Sequence, residues 1–131
     1  MIFIDSNIPM YLVGTAHENR NRAASLLRSM VARNERMVSD AEVMQEILHR
    51  YHAIRRPTAI DDALGVLERL VDEVFRIDRA DVMGARRILS ELPSLSARDA
   101  LHVAVMRQHE VGRILTFDAG FDAVEGLERI A

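Results

Sequence analysis

The chain contains no cysteine and no lysine, so all 17 of its basic residues are arginine. Without cysteine it can form no disulfide, zinc–thiolate site or thiol nucleophile, and any metal site must use oxygen or histidine ligands. Without lysine it lacks the residue with which P-loop proteins contact phosphate. Receiver domains and haloacid-dehalogenase-type phosphatases also place an aspartate after their first strand. Both are disfavoured here because they need a lysine beside the phosphoaspartate.

Charge and length set further limits. The net charge of −3 gives no overall attraction to nucleic acid. A hydrophobic content of 49% and a charged content of 28% are typical of an ordered globular protein, and 131 residues suffice for one domain spanning 1–131. No apolar run approaches membrane-spanning length and no signal-peptide pattern opens the chain, so we expect a cytoplasmic protein with no membrane partner.

The first seven residues change abruptly from apolar to polar. The run Ile2–Ile4 favours a strand that is buried on both faces of a parallel sheet. Asp5, Ser6 and Asn7 follow it, and these residue types favour a turn or a helix N-cap. Asp5 then lies at the carboxyl end of a buried strand, where open α/β sheets bind their ligands. Alternatively, Asp5 only caps the next helix.

Predicted strands and helices alternate along the whole chain. Apolar runs predict further strands at 36–39, 74–77 and 113–117, and a short last strand at 127–130. The helical spacing of apolar residues predicts helices at 8–14, 17–34, 40–51, 57–71, 79–92 and 97–105. This alternation is typical of a single three-layer α/β/α domain with a mostly parallel central sheet.

Two predicted helix starts contain acids. The segment Ser39–Glu42 has the Ser-x-x-Glu pattern of a capping box, which gives Glu42 a structural role and leaves Glu46, one turn later, without one. Ser96 precedes Asp99 by three residues in a second start of this type, and the helix dipole also favours an acid in the first turn. His102, one turn further on, is expected to be a partly buried polar residue rather than a ligand.

Four acids are therefore expected at one edge of the sheet. Asp5 and Asp118 each follow an apolar strand, and parallel strands end at the same edge. Glu46 and Asp99 lie early on helices that begin there. Carboxylates that converge without basic partners repel one another, and a hard cation such as Mg²⁺ or Mn²⁺ relieves the repulsion by taking oxygen ligands. Metal–carboxylate sites of this kind serve phosphoryl chemistry.

Several segments of the chain together resemble PIN-domain nucleases, and within them the VapC-type toxins of bacterial type II toxin–antitoxin pairs. The resemblance covers essentially the whole chain and rests on the order and spacing of the segments. They are Ile2–Asn7, Val38-Ser39, Glu46–Leu48, Ala97–Ala104 and Leu115–Asp122.

The resemblance implies roles for individual residues. Four acids would form the metal and catalytic site: Asp5, Glu46, Asp99 and Asp118. Asp122 would be a supporting or alternative acid. Ser6 would orient the site through its hydroxyl, and Asn7 would help to hold the same turn. Glu42 stays a rival of Glu46, although the predicted capping box argues against it.

The resemblance also implies an activity and partners. The chain would be an Mg²⁺- or Mn²⁺-dependent endoribonuclease in which a metal-activated water attacks an RNA phosphodiester. It would form a homodimer and be blocked by a cognate antitoxin. The alternatives are an RNA-processing or DNA-directed nuclease on the same fold, and a catalytically silent binding module. The presence of all four acids argues against the last of these.

Overall fold

A five-stranded sheet forms the centre of the computed structural model, which describes all 131 residues. The strands are β1 (Ile2–Ile4), β2 (Met37–Asp40), β3 (Glu73–Phe75), β4 (Arg113–Leu115) and β5 (Glu128–Ile130). They lie in the order β3-β2-β1-β4-β5, and every neighbouring pair is parallel. The α/β class and the parallel sheet are confirmed.

Six α-helices connect the strands, and their positions match the predicted ones closely. They are α1 (Asn7–Val13), α2 (Glu18–Ala32), α3 (Ala41–Ala53), α4 (Pro57–Leu70), α5 (Arg79–Glu91) and α6 (Ala97–Gln108). A short 3₁₀ helix, Ala119–Ala123, follows β4. None of the helices has the length and apolar character needed to span a membrane.

The path of the chain reverses direction at β1. The chain winds from β1 outward to β2 and β3, and then returns past β1 to form β4 on its other side. Because parallel crossovers are right-handed, the connection through α5 and α6 covers the opposite face of the sheet from α1–α4. The three layers follow from this reversal. A crevice forms at the carboxyl ends of β1 and β4, because the connections that follow these two strands run in opposite directions.

The hydrophobic core lies on both faces of the sheet. Phe3 and Ile4 are 0% exposed and Ile2 is 1% exposed, so the central strand is covered on both sides as its apolar run predicts. Helix α6 is also buried on two sides, since Val103, Val105 and Met106 all belong to the core. Its polar residues therefore reach solvent only near its ends.

Helix α3 begins differently from the prediction. Asp40 is the N-cap, and its Oδ1 accepts a hydrogen bond from Val43 N at 2.9 Å. Ser39 instead donates its hydroxyl to the carbonyl oxygen of Ile4 at 3.0 Å, which joins β2 to β1. The capping box predicted for Ser39 and Glu42 is wrong because β2 continues through Asp40 before the helix starts.

Candidate active site

A cleft of about 400 Å³ opens at the carboxyl ends of β1 and β4. It brings together the four acids that were expected to converge, together with the turn after β1 and two arginines. The charged and polar side chains that line it belong to Asp5, Ser6, Asn7, Glu46, Arg50, Ser96, Arg98, Asp99 and Asp118. The cleft therefore lies at the reversal point of the sheet, where this topology favours ligand binding.

Asp5 is 4% exposed and is held by three hydrogen bonds. Its Oδ1 accepts from Ser6 N at 2.8 Å, and its Oδ2 accepts from Thr116 Oγ1 at 2.7 Å and from Asn7 Nδ2 at 3.3 Å. Burial raises the pKa of Asp5, and the charge of His102 and the Thr116 hydrogen bond offset part of this rise. The carboxylate is therefore fixed in orientation, and burial disfavours its charged form.

Thr116 links the strand β4 to the turn after β1. Its Oγ1 donates to Asp5 and accepts from Asn7 Nδ2 at 2.9 Å and from Asp118 N at 3.0 Å. Asn7 completes the link because its Oδ1 accepts from Phe117 N at 3.4 Å. A single buried hydroxyl thus positions two of the four acids relative to each other.

Glu46 projects from α3 into the same cleft. Its side chain is 11% exposed, and both of its carboxylate oxygens are engaged. Ser6 Oγ donates to Oε2 at 2.5 Å, and His102 Nε2 lies 2.6 Å from Oε1. Ser6 therefore orients the Glu46 carboxylate through its hydroxyl.

His102 lies at the centre of the polar network and is 0% exposed. Its Nδ1 is 2.8 Å from Oδ2 of Asp40, which is also 0% exposed, and its ring packs against Phe3 with centroids 5.3 Å apart. The expectation that His102 is only partly buried is wrong. The helical period places it on the core side of α6, and β2 brings Asp40 to meet it.

The two carboxylates favour the protonated form of His102. Burial lowers the pKa of His102, but the hydrogen bonds to Asp40 and Glu46 outweigh burial, and the pKa lies well above its ordinary value. Burial raises the pKa of Glu46, and the hydrogen bond and charge of His102 reverse that effect, so the pKa falls below the ordinary range. Both ring nitrogens of His102 therefore face a carboxylate oxygen in the buried interior.

Asp99 and Asp118 lie at the more open side of the cleft. Asp99 is in the first turn of α6, where its backbone N–H donates to Ser96 Oγ at 3.1 Å. Burial, followed by the negative charge of Asp5, raises the pKa of Asp99 to about 6. Asp118 is exposed and caps the 3₁₀ helix by accepting from Gly120 N at 2.8 Å.

Two other acids from the sequence analysis lie outside the cleft. The side chain of Asp122 is 54% exposed and is paired with Arg129, whose Nε lies 2.8 Å from Asp122 Oδ1. Asp122 therefore does not line the cleft. Glu42 does not line the cleft. Of the two glutamates on α3, only Glu46 reaches it.

The donor set of the cleft fits a hard divalent cation. One ligand atom each from Asp5, Glu46 and His102 lies within 4.8 Å of the others. Because both nitrogens of His102 face carboxylates, the oxygens of Asp5, Glu46 and Asp99 are the available ligands. None of Asp5, Asp99 and Asp118 forms an ion pair with an arginine, so their charges remain for a cation to neutralise.

Sequence reasoning missed two residues of the site. Asp40 is the last residue of β2, and the signal available for it was its place directly before the helix that carries Glu46. Thr116 follows β4 as Asp5 follows β1, so the parallel pairing of these strands was the signal that both side chains meet at one edge.

Comparison with known proteins identifies relatives over the full length of the chain. A family model described as "PIN domain" matches residues 2–127. Ribonuclease VapC13 of Mycobacterium tuberculosis is 52% identical over 131 residues, and the alignment covers 100% of both chains.

Two solved structures have a similar fold. VapBC2 from Rickettsia felis, bound to a DNA fragment from its promoter, has a TM-score of 0.76 at 13% identity and covers 99% of this chain and 98% of its own. VapC20 of Mycobacterium tuberculosis, a toxin that cleaves the sarcin–ricin loop, has a TM-score of 0.76 at 20% identity and covers 94% of both chains. At these identities the likeness concerns the fold.

Proposed function

The chain belongs to the PIN domain family and, within it, to the VapC group, and from this membership we propose that it is a metal-dependent endoribonuclease and the toxin of a toxin–antitoxin pair. The observation that supports the activity is the convergence of Asp5, Glu46 and Asp99 in one cleft without an arginine partner. A relative that is identical at half of all positions is named a ribonuclease.

The metal ligands in this proposal are Asp5, Glu46 and Asp99, with Asp118 as a fourth ligand or a support. The ion is Mg²⁺ or Mn²⁺, because all four groups are hard oxygen donors. When bound, such an ion neutralises charge on the phosphate and lowers the pKa of a water that attacks the phosphodiester.

The protein groups around the ligands fix the geometry. Ser6 N, Thr116 and Asn7 hold the Asp5 carboxylate, while Ser6 Oγ and His102 hold that of Glu46. Each carboxylate keeps unused lone pairs, so hydrogen bonding and metal binding are compatible.

Two arginines are suited to bind the substrate. Arg50 and Arg98 line the cleft and are free of ion pairs, so their guanidinium groups can bind phosphate oxygens in spite of the net negative charge of the chain. Phosphate binding there would hold the scissile bond over the acids.

The proposed partners are RNA, an antitoxin and a second copy of the chain. The antitoxin is supported by the solved VapBC complexes of the same fold. Support for the homodimer comes from an apolar hollow of about 300 Å³ on α5 and α6, which is lined in part by the exposed side chain of Val82. We further infer that residues 1–131 form one domain, since the core is one continuous cluster. We also propose a cytoplasmic location, which an RNA substrate supports.

The decisive experiment compares Asp5→Asn with Asp122→Asn in an RNA cleavage assay with Mg²⁺ or Mn²⁺. Both changes remove one negative charge, but only Asp5 lies in the cleft. We expect Asp5→Asn to lower cleavage by at least about 100-fold, since metal catalysis supplies several kcal/mol of transition-state stabilisation. Asp122→Asn should cleave like the wild type. Equal activity of all three proteins would refute the metal-site assignment, and the lack of wild-type cleavage of any RNA would favour a silent binding module.

A further inference from the structure

Helix α6 carries one residue that lines the cleft and one that lies directly behind it. Asp99 lines the cleft, and His102 follows it by three residues, which places the two side chains on the same side of the helix. His102 is 0% exposed and does not line the cleft. Its Nε2 lies 2.6 Å from Oε1 of Glu46, a residue that does line it. The helix that supplies one acid of the cleft therefore also contacts a second one.

Asp40 and Phe3 fix the ring of His102 in one orientation. Asp40 Oδ2 lies 2.8 Å from His102 Nδ1, and Asp40 Oδ1 accepts the hydrogen bond from Val43 N at 2.9 Å. Because Asp40 is 0% exposed and both of its oxygens are engaged, its carboxylate cannot rotate without losing a buried hydrogen bond. The ring of Phe3 packs against the imidazole at a centroid distance of 5.3 Å. Nε2 is therefore aimed at Glu46 by groups that lie wholly in the core.

Stability alone gives a weak reason for a buried histidine–carboxylate pair at this place. Burial of such groups is costly, and apolar side chains of similar volume often give a core that is equally stable or more stable. Helix α6 otherwise buries apolar residues, which include Val103, Val105 and Met106. The pair is therefore an exception in its surroundings. The one side chain outside the pair to which it is hydrogen-bonded is that of Glu46.

Glu46 is held by two hydrogen bonds of different rigidity. Its side chain rotates about three bonds, and besides the contact with His102 it accepts a hydrogen bond from Ser6 Oγ at 2.5 Å. A serine hydroxyl rotates about its C–O bond, whereas a ring N–H points in one direction. The contact with His102 is thus the more rigid of the two. Groups that hydrogen-bond to metal ligands set the orientation of the ligand, and their loss commonly lowers metal affinity or activity.

We propose that Asp40 and His102 are positioning residues for the metal site. Asp40 fixes the ring of His102, and the ring holds the carboxylate of Glu46 in the orientation in which Glu46 binds the divalent cation. This inference rests on the proposed function, and it adds two residues that touch neither the ion nor the RNA. It also makes α6 the element that aligns two of the metal ligands, Asp99 directly and Glu46 through His102.

Two amide substitutions separate the contact with Glu46 from the contact with Asp40. In His102→Gln the amide nitrogen stands near the position of Nε2 and can still donate to Glu46, whereas in His102→Asn it stands near the position of Nδ1 and can donate only to Asp40. Both changes remove the ring, so the difference between them isolates the contact with Glu46. We expect metal-free His102→Asn to bind Mn²⁺ about 10- to 100-fold more weakly than His102→Gln, measured by calorimetric titration.

The same titrations show whether the effect passes through Glu46. In a Glu46→Ala background the difference between His102→Asn and His102→Gln should disappear, because the carboxylate that the ring holds is gone. General damage to the cleft would persist there, since Asp5 and Asp99 remain to bind the ion. His109→Asn, the same change at the C-cap of α6 and outside the cleft, is the matched control and should leave the Mn²⁺ affinity unchanged.

Asp40 is tested without removal of the histidine. The amide of Asp40→Asn can accept from Val43 N and donate to Nδ1 of His102, which keeps a proton on Nε2 for the bond to Glu46. Asp40→Ala provides neither contact and leaves the ring free to turn. We expect Asp40→Asn to retain most of the Mn²⁺ affinity and Asp40→Ala to lose about 10-fold. Urea unfolding of every variant separates loss of the fold from loss of affinity, and this pair keeps the inference testable if the His102 variants do not fold.

Crystal structures of the metal-free variants provide a measurement that does not depend on the ion. The Glu46 carboxylate should keep its contact with Ser6 in His102→Gln and leave its position in His102→Asn. Three results would overturn the inference: equal Mn²⁺ affinity of the two folded variants, a difference that persists without Glu46, or a Glu46 carboxylate that stays in place in both.

Wild-type protein that binds Mn²⁺ and cleaves RNA in any of these cases retains the proposed function alone. Lack of both Mn²⁺ binding and RNA cleavage by the wild type would instead refute the proposed function, and the crystal structures would then decide whether His102 positions Glu46.

Discussion

The imidazole of His102 lies between Asp40 and Glu46, with Nδ1 2.8 Å from one carboxylate and Nε2 2.6 Å from the other. A neutral ring would turn one lone pair toward a carboxylate oxygen, so both contacts are favourable only when both nitrogens are protonated. His102 therefore supplies a fixed positive charge behind Glu46, while the other face of that carboxylate remains open to the cleft.

We expect His102 to be an imidazolium at neutral pH in the metal-free protein. Nitrogen-15 chemical shifts should show two protonated ring nitrogens, and the signal should titrate well above the ordinary pKa of histidine. Because the folded-state pKa is raised, the associated stability is complete below about pH 6.5 and is lost as the pH rises through the folded-state pKa. A single protonated nitrogen at neutral pH would contradict the arrangement.

Removal of His102 alone should destabilise the fold more than removal of both charges of the buried His102–Asp40 pair. His102→Ala leaves the carboxylate of Asp40 buried without its cation, which we expect to cost about 3–5 kcal/mol. The double variant His102→Ala with Asp40→Asn should recover part of this loss, because the amide oxygen of asparagine can still accept from Val43 N. Urea unfolding of the four proteins of the cycle measures the coupling, and additive losses would show that the two residues do not interact.

Asp99 should make the metal-free protein less stable as the pH rises. Its pKa is raised from 3.8 to about 6, so the folded state binds the proton more tightly and loses stability between these values. We expect a loss of about 1–2 kcal/mol after allowing for solvent screening of a partly exposed group. The measurement is the wild-type free energy of unfolding minus that of Asp99→Asn, in chelator, across this range. Added Mg²⁺ should shrink the difference, and a pH-independent difference would argue against a strained carboxylate.

Thr116 should affect activity through its hydroxyl alone. Thr116→Val keeps the shape but removes the donor to Asp5 and the acceptor for Asn7 and Asp118 N. We expect a loss of about 1–3 kcal/mol in stability and of about 10- to 100-fold in activity or metal affinity. Thr116→Ser restores the hydroxyl and should recover most of both. Failure of the serine variant to recover activity would show that the methyl group, not the hydrogen bonds, is needed.

The fold was predictable because each layer has a strong local pattern. Three patterns reflect burial that repeats along the chain: the apolar run before Asp5, the spacing of apolar residues on each helix, and the alternation of strands and helices. Local pattern fails where tertiary packing decides which side chains are buried. Helical spacing groups Val82 with the buried Ala85 and Ile88, yet Val82 is 52% exposed because its side of α5 is open.

The candidate site was predictable to the extent that its acids stand at the ends of elements. Asp5, Asp99 and Asp118 follow a strand or open a helix, and topology then places them together. Asp40 and His102 could not be paired from sequence, since 62 positions separate them along the chain. Their contact depends on the packing of α6 above β2, which no local pattern describes.

The last third of the chain supplies Asp99, His102 and Thr116. These groups come together with Asp5 and Glu46, which are synthesised earlier, only when β4 has paired with β1. During synthesis, the early segments fold without them, because chain growth is slower than local folding. A nascent chain on the ribosome therefore has no assembled acidic cleft until β4 has been made. An enzyme proposed to cut RNA would thus lack its candidate active site during most of the synthesis of residues 1–131.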